Sequence, residues 1–262
     1  MKHTATLKLA FALACAIGSG AALADAQTLR FGLEAQYPPF ESKAPNGDLQ
    51  GFDIDIGNAV CQTAKLSCKW VETSFDGLIP ALKGRKFDAI NSAMHVTAKR
   101  VEAIDFTTII YQTPSRLVAR SNSGLVPTIQ SLKGKQIGVL QGSIHENYAR
   151  TRWEPFGTRV VPYQDQNQIY ADLITGRLDA TFAEEITVQK GFLSRAEGRG
   201  FGFSGGAIVD DSIMGPGVAF GIRKGDEVLK LRLNEAIKNI KNNGTLDLLA
   251  KKYFPAGGVV IK

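Results

Sequence analysis

The segment 140–146, with the sequence LQGSIHE, has residue types that suit anion binding. An apolar run ends at Leu140, and Gly142 permits a tight turn. Ser143 and Glu146 then have the spacing of a capping box that begins a helix. Free N–H groups at a helix start, aided by the helix dipole, attract a carboxylate or a phosphate. Because most capping boxes only cap, and because no glycine-rich nucleotide motif lies nearby, the segment alone leaves its role open.

A second candidate is the segment 91–100, with the sequence NSAMHVTAKR, which follows strand-like residues at 88–90. Open α/β sheets bind ligands at the carboxyl ends of their strands, where small and hydroxyl-bearing residues leave room. Arg100 in this segment offers a guanidinium fork for a carboxylate. Taken alone, Arg100 is equally compatible with a solvated position on a helix surface.

Two aromatic residues each lie near an acid after a predicted strand. Tyr37 belongs to the segment 34–40 (EAQYPPF), which begins with Glu34, and Phe75 precedes Asp76. Aromatic faces with a carboxylate beyond them suit an aliphatic stem that ends in a cation. Each aromatic residue is also compatible with an ordinary core position.

The sequence gives no basis for catalysis. Beyond the first 24 residues the only histidines are His95 and His145. The chain has no HExxH motif, no Cys/His zinc spacing and no GxSxG elbow. We therefore predict no catalytic residue, no metal ion and no cofactor.

The first 24 residues have the features of a secretory signal, with a basic tip, an apolar stretch and an A-x-A pattern at 22–24. The apolar stretch is too short and too interrupted for a membrane anchor, which needs about 20 apolar residues. We therefore predict export with cleavage before residue 25, and Cys15 is lost with the signal. Cys61 and Cys68 remain, and an even pair in an exported chain favours a disulfide.

Composition narrows the class of protein. With 44% hydrophobic and 21% charged residues the chain is globular, and 262 residues suffice for one large or two modest domains. The formal net charge is +6, to which Lys2 and Lys8 in the signal contribute. Because no run of Lys or Arg forms a basic patch, we predict neither a nucleic-acid nor a membrane-surface partner.

Short apolar runs alternate with amphipathic stretches and would position these residues. The first series has strands at 28–33, 69–73 and 89–94 and helices at 52–65 and 78–83. The second series has strands at 136–140, 159–162 and 178–182 and helices at 143–153 and 168–175. Such alternation predicts mostly parallel sheets in two α/β lobes, joined near 111–116. A Gly-rich stretch at 202–221 precedes one more strand and a helical region at 228–253 that is broken at 243–244.

At 51–56 (GFDIDI) the sequence resembles the periplasmic polar amino-acid binding proteins of ATP-binding cassette importers, solute-binding protein family 3. Within that family it is most similar to the lysine/arginine/ornithine and histidine binding proteins. The similarity runs from about 29 to 254. Its ordered matches are Y-x-PFES at 37–42, Cys61 and Cys68, FDGLIP at 75–80, FT at 106–107, SLKGK at 131–135, GVLQG at 138–142, GT at 244–245 and KYF at 252–254.

The resemblance implies two Rossmann-like α/β lobes joined by two hinge strands, the type II periplasmic binding protein fold, and a Cys61–Cys68 cystine. We expect a signal peptide at 1–24, the first part of lobe 1 at 25–111, lobe 2 at 112–213, and completion of lobe 1 at 214–262. The expected setting is the periplasm, and the expected state is a monomer. The implied partners are a cationic amino acid or derivative and an inner-membrane permease, while a sensor or chemoreceptor partner stays open.

The resemblance also implies roles for particular residues. A carboxylate clamp falls on Arg100, with backbone amides near His95 and at Ile144, and the strand-end hydroxyl falls on Ser92. The aromatic pair around the ligand side chain falls on Tyr37 and Phe75, with Leu140 on the far wall. The acid that meets a distal cation falls on Glu34.

Five pocket positions depart from the family pattern. Glu184 replaces an aspartate for the ligand α-amino group, Ala93 and His95 stand where Ser, Gly or Asp is common, and Ile144 and His145 replace Thr-Gln or similar. One hypothesis is a ligand substituted on its amino group, such as an opine, whose second carboxylate contacts His95 or His145. The rival class is an enzyme on the same fold, resembling periplasmic cyclohexadienyl dehydratases, with Glu184 as its acid.

Overall fold

The computed structural model describes residues 27–262. The predicted signal peptide at 1–24, with Cys15, lies outside the described residues. Within them the chain forms two five-stranded sheets, together with small sheets of two and three strands. Each five-stranded sheet carries its own helices, so the expected two-lobed α/β class is confirmed.

The strands are β1 (Thr28–Leu33), β2 (Gln36–Tyr37), β3 (Glu41–Lys43), β4 (Leu49–Gln50), β5 (Ser67–Glu72), β6 (Ala89–Ile90), β7 (Asp105–Phe106), β8 (Tyr111–Gln112), β9 (Ser115–Arg120), β10 (Gln136–Leu140), β11 (Arg159–Tyr163), β12 (Ala180–Glu184), β13 (Phe201–Ile208), β14 (Gly221–Ile222) and β15 (Val260–Ile261). The α-helices are α1 (Phe52–Thr63), α2 (Leu78–Lys83), α3 (Ala98–Ala103), α4 (Ile129–Leu132), α5 (Ile144–Arg152), α6 (Gln166–Thr175), α7 (Glu185–Val188), α8 (Asp211–Met214), α9 (Glu227–Asn242) and α10 (Thr245–Tyr253).

Both large sheets are mixed. The first has the order β5-β1-β6-β14-β7 and the second has the order β11-β10-β12-β9-β13. In the first sheet β5 and β6 run parallel to β1, whereas β14 is antiparallel to both of its neighbours. In the second sheet β11 and β12 run parallel to β10, whereas β9 is antiparallel to both of its neighbours.

Four of the five strands in each sheet run in the same direction, as the prediction of mostly parallel sheets requires, but the prediction missed the one antiparallel strand in each. The antiparallel strands β9 and β14 are the first strands that the chain adds to a large sheet after crossing from the other. A strand that enters a sheet in this way needs no helical crossover, so the antiparallel direction is available to it. The alternation of strands and helices along the sequence indicated a junction near 111–116 but not the direction of the strands that follow the crossings.

Two crossing segments, 107–114 and 209–220, connect the two large sheets. They pair where Val218 N donates to Tyr111 O at 2.8 Å. Gly217 has a φ of 147°, and a Cβ there would lie 2.6 Å from Tyr111 O, so only glycine permits this approach. The expected lobe boundaries after residues 111 and 213 fall within these segments and stay predictions.

Aromatic packing anchors the crossing strand β8 in the first lobe. The Tyr111 ring stacks on Phe40 with centroids 5.5 Å apart and meets Phe52 edge-on at 5.2 Å. The second lobe has a separate core around Trp153 and Phe182, whose ring centroids are 5.0 Å apart. Because each lobe buries its own apolar residues, the lobes can move as units about the crossing segments.

The disulfide between Cys61 and Cys68 is confirmed, with a Cα–Cα distance of 5.9 Å. It joins the last turn of α1 to the second residue of β5. The sequence separation is 7 residues, so the closed loop is short and the bond acts as a local staple.

Some predicted element bounds are corrected. The strand predicted at 89–94 ends at Ile90, and Ala93 takes a positive φ of 43° that no strand contains. The helix predicted from 168 begins at Gln166, because the Asp165 carboxylate caps it by accepting from Asn167 N at 2.9 Å.

Candidate functional site

Most of the predicted ligand residues line one small cavity between the lobes, called here the inner cavity. They are Tyr37, Phe75, Ala93, His95, Arg100, Leu140, Ile144, His145 and Glu184, joined by Ser143, which was not predicted as a ligand residue. The structure does not bring Glu34 and Ser92 to this cavity. Strand ends and helix starts supply the lining, as the pattern of small, polar and aromatic residues at those points indicated.

The inner cavity has a volume of about 10 Å³. That is about the space that one water molecule needs, and ligand pockets usually begin at roughly 300 Å³. The lobes therefore fill this region with their own side chains. An amino acid enters only when the lobes separate and these side chains move.

Arg100 on α3 connects the two lobes. Its Nη1 donates to His95 O at 2.7 Å, and its Nη2 donates to Gly142 O of the other lobe at 3.1 Å. The guanidinium carbon lies 5.4 Å from the centroid of the Phe75 ring. Burial lowers the pKa of Arg100 to about 10, so the group stays cationic at neutral pH. When the lobes open, Nη2 loses its carbonyl partner and becomes available to a carboxylate.

The turn into α5 has the predicted cap. Gly142 has a φ of 75°, and Ser143 Oγ accepts from Glu146 N at 3.1 Å. The Glu146 carboxylate returns to accept from Gly142 N at 2.7 Å, one residue earlier than in the usual capping box. The next amides, at Ile144 and His145, belong to the first turn and have no acceptor within the helix. Both residues line the inner cavity, where these amides suit a carboxylate.

His95, His145 and Glu184 form a buried cluster at the opposite wall. Both imidazole Nε2 atoms lie 3.6 Å from a Glu184 carboxyl oxygen. Burial lowers the pKa of His95 to about 3 and that of His145 well below its ordinary value, so both rings are neutral. Burial also raises the pKa of Glu184 to about 8. These contacts are therefore not ion pairs at neutral pH, and a ligand ammonium nearby would favour the ionised form of Glu184.

Ala93 stands at the inner cavity in the left-handed conformation, with a φ of 43°. Its N–H donates to Asp53 Oδ2 at 2.6 Å, and Asp53 Oδ1 accepts from the hydroxyl of Tyr111 at 2.8 Å. The Asp53 carboxyl thus holds both the backbone at Ala93 and the crossing strand β8. Sequence reasoning missed this role, although Asp53 belongs to the GFDIDI segment.

The Ser92 hydroxyl both accepts and donates a hydrogen bond within the protein. Its Oγ accepts from Glu34 N at 3.0 Å and donates to Glu41 Oε1 at 2.8 Å. Burial, followed by repulsion from Asp53, raises the pKa of Glu41 well above its ordinary value, and burial raises the pKa of Asp53 to about 6. Ser92 thereby fixes the backbone at Glu34, and its expected contact with ligand stays a prediction.

Glu34 lies at a second, larger cavity, called here the outer cavity, with a volume of about 660 Å³. Gln36 and Ser74 also line it, and each is next in sequence to an aromatic residue of the inner cavity, Tyr37 or Phe75. Tyr37 and Phe75 thus adjoin residues of both cavities.

The carboxyl group of Glu34 is buried and incompletely bonded. The residue is only 4% exposed, and Oε2 has no hydrogen-bond partner among residues 27–262. Burial, followed by repulsion from Asp165 and Glu72, raises the pKa of Glu34 to about 7. A cation beside this carboxyl would offset both the burial of its charged form and the repulsion from the neighbouring acids.

Two further hydrogen bonds join the lobes near the site. Gln141 Nε2 donates to Asp76 Oδ2 at 2.8 Å, and Asn167 Nδ2 donates to Gln36 Oε1 at 3.0 Å. Asp76 and Gln141 both belong to segments that the sequence singled out, but nothing in the sequence indicated that they meet. With the Arg100 bond, these contacts hold the lobes closed.

Within residues 27–262, no group of three or more His, Cys, Asp or Glu side chains is arranged to hold a metal ion. In the same part of the chain, no helix has the length and apolar character required to cross a membrane.

Two α/β lobes connected by two crossing segments, with a buried polar site between them, define a type II periplasmic binding protein. Residues 29–256 match the bacterial extracellular solute-binding proteins, family 3. The chain belongs to that family.

Known relatives agree with this assignment. The chain is 43% identical to the lysine/arginine/ornithine-binding periplasmic protein of Escherichia coli (strain K12), over 97% of this chain and 96% of that one. It is 44% identical to the L-arginine-binding protein of Pseudomonas aeruginosa, over 95% of this chain and 96% of that one. A Salmonella typhimurium periplasmic binding protein studied for its high arginine specificity superposes with a TM-score of 0.80 at 29% identity, covering 87% of this chain and 100% of that one.

Proposed function

We propose that this protein captures a cationic amino acid of the arginine, ornithine, lysine and histidine class in the periplasm and delivers it to an ATP-binding cassette importer. One observation carries the proposal. A buried guanidinium, Arg100, lines the inner cavity with Tyr37 and Phe75, and Glu34, whose Oε2 has no hydrogen-bond partner among residues 27–262, lines the outer cavity with Gln36 and Ser74, the sequence neighbours of those aromatic residues. That arrangement complements a carboxylate at one end of a ligand and a cation at the other. The substrates named for the relatives support the same class.

The action is binding without chemistry. Ligand contacts to Arg100 in one lobe and to the amides of α5 in the other are simultaneous only when the lobes are closed, so the ligand shifts an equilibrium between open and closed forms. A micromolar ligand supplies about 8 kcal/mol, enough to bias a hinge by a few kcal/mol. The importer then recognises the closed shape.

The side-chain geometry favours binding over catalysis. Ser115 Oγ lies 2.9 Å from His145 Nε2, and a Glu184 oxygen lies 3.6 Å from the same nitrogen. In a catalytic triad the acid orients the base through its other nitrogen, so this cluster lacks that arrangement. A dehydratase would still have an acid in Glu184. Incubation with prephenate or arogenate tests this, since product formation that Glu184→Gln abolishes would establish an enzyme.

The charge of the amino end favours a free amino acid over an N-substituted one. Burial keeps His95 and His145 neutral, and Glu184 is an acid, so these three side chains offer no cation to the second carboxylate of an opine. Equal or tighter binding of octopine than of arginine would reverse this preference.

Calorimetric titration of the chain purified from the periplasm tests the proposal. We expect arginine, lysine and ornithine to bind in the micromolar range or tighter. Citrulline is a matched control, because it keeps the length of arginine and loses the charge, and we expect it to bind at least tenfold more weakly. Absence of binding by every cationic amino acid would refute the proposal. N-terminal sequencing of the same sample should begin at Asp25, and its elution volume tests the expected monomer.

A further inference from the structure

The outer cavity is larger than the proposed ligand requires. The cation of arginine or lysine needs only the Glu34 carboxyl, whereas the cavity beyond it has a volume of about 660 Å³. That volume lies within the range of complete small-molecule pockets. The inner cavity, at about 10 Å³, is closed around the other end of the site. The two ends therefore differ in how strictly they limit the size of a ligand.

The wall of the outer cavity is polar and comes from both lobes. Acids from three elements face it, with Glu34 after β1, Glu72 at the end of β5 and Asp165 at the start of α6. Lys43 forms an ion pair with Glu72 at 2.8 Å, and Arg195 is the other cation of the wall.

Glu34 differs from the other two acids. Glu72 is paired with Lys43, and Asp165 accepts hydrogen bonds as the N-cap of α6. Glu34 is 4% exposed, and its Oε2 has no partner among the described residues 27–262. Glu34 lines the cavity while this oxygen is buried and unpaired, so a ligand cation that reaches the carboxyl from the cavity would supply the missing partner.

We propose that the outer cavity is a second subsite, which accepts groups carried on the distal cationic nitrogen of the ligand. The inference rests on the proposed function and extends it to cationic amino acids that are longer than arginine or substituted on the distal nitrogen. The cation remains beside Glu34, and the added group occupies the outer cavity, where it meets the amide and hydroxyl groups of the wall.

A homologous ligand series tests this inference by calorimetry. Arginine, homoarginine and Nω-propyl-arginine keep the same charged group and add length or an alkyl substituent. We expect the affinities of the longer ligands to stay within about threefold of that of arginine. A closed wall beyond Glu34 would lower affinity by tenfold or more, because a packed site resists added methylene groups. A loss of tenfold or more for Nω-propyl-arginine overturns the inference.

The outcomes separate this inference from the proposed function. If arginine binds and Nω-propyl-arginine loses tenfold or more, the outer subsite is wrong and the proposed function stands. If no cationic amino acid binds, the proposed function fails and the subsite fails with it.

A variant that narrows the outer cavity gives a second test of the subsite. Ser42 lines the outer cavity from β3, so Ser42→Trp should narrow it, and Ser42→Ala is the matched control. We expect Ser42→Trp to weaken Nω-propyl-arginine at least tenfold while it changes arginine less than threefold. An equal change for both ligands would contradict a separate subsite.

Discussion

The inner and outer cavities bind in different ways. The inner cavity is nearly filled. Arg100 donates there to the carbonyls of His95 and Gly142, and His95 and His145 lie 3.6 Å from Glu184, although both ring nitrogens of His95 and Glu184 Oε2 have no hydrogen-bond partner among residues 27–262. A ligand must replace protein contacts at that end, which makes its recognition strict in shape. The outer cavity is roomy, and Glu34 already has an unpaired oxygen among the described residues. Charge therefore governs recognition at the outer end, and packing governs it at the inner end.

Removing the guanidinium should have the largest effect. We expect Arg100→Ala to lose at least about thirtyfold in arginine affinity, since losing one partner of a buried charge pair costs about 2–5 kcal/mol. Calorimetry measures the loss, and thermal unfolding checks that the variant folds. Arg177→Ala is a suitable control, because Arg177 is 73% exposed in its side chain. Unchanged affinity in Arg100→Ala would place the carboxylate elsewhere.

Neutralising the outer acid should have the next largest effect. We expect Glu34→Gln to weaken arginine about tenfold to a hundredfold, because a hydrogen bond to a charged group contributes about 1.5–3 kcal/mol. Citrulline binding should change little, since it carries no distal charge. Glu227→Gln on α9 is the control, as the Glu227 side chain is 62% exposed. An equal loss for arginine and citrulline would assign Glu34 a structural role.

The pH dependence of stability should distinguish the two kinds of group at the inner end. The pKa of Glu184 is raised from 4.5 to about 8, so its contribution to stability is present below pH 4.5 and is lost as pH rises toward 8. The pKa of His95 is lowered from 6.5 to about 3, so its contribution is lost only as pH falls below 6.5. His145 behaves as His95 does, and Arg100 stays charged throughout.

Between about pH 6.5 and 8 the ligand-free protein should therefore lose stability, by up to about 1.4 kcal/mol per pH unit from Glu184. Denaturant unfolding at several pH values measures the slope. Glu184→Gln should flatten it, whereas Glu227→Gln should leave it as in the wild type. Glu34 has a pKa raised to about 7 and adds to the slope in the same direction. An unchanged slope in Glu184→Gln would contradict the assigned protonation.

The smallest effect should come from the bond between Gln141 and Asp76. Each lobe supplies one partner, so Asp76→Ala should weaken every amino-acid ligand about twofold to tenfold by favouring the open form. The ratio of arginine to citrulline affinity should stay constant. Combining Asp76→Ala with Gln141→Ala in a double-mutant cycle should give a coupling free energy of about 1 kcal/mol. A change in selectivity would mean that Asp76 contacts the ligand.

Much of the inner cavity follows from the sequence. Arg100, His95 and Ala93 come after a predicted strand, and Ser143 and Ile144 begin a predicted helix. Elements of an open α/β lobe present such residues at one edge of the sheet, so their meeting follows from the order of elements. The positive φ of Ala93 does not follow from the sequence, because alanine has no local preference for that conformation.

Nothing in the sequence indicated the hydrogen-bond network behind the inner cavity. Asp53 lies on α1, Tyr111 on β8 and Ala93 after β6, and they meet only because the folded first lobe brings these distant segments together. The antiparallel strands β9 and β14 were missed for the same reason. Their direction depends on how the chain crosses between the lobes, which local periodicity does not encode.

The sequence by itself determined the family, the two-lobed α/β class, the disulfide and the types of residue that stand at the strand ends. These follow from composition, periodicity and ordered motifs, which are local properties of the chain. Tertiary structure alone decided that Glu34 lines a cavity of about 660 Å³, separate from the one that Arg100, Tyr37 and Phe75 line. The reason is that a cavity between two lobes is defined by residues distant in sequence, so its volume depends on how the lobes close.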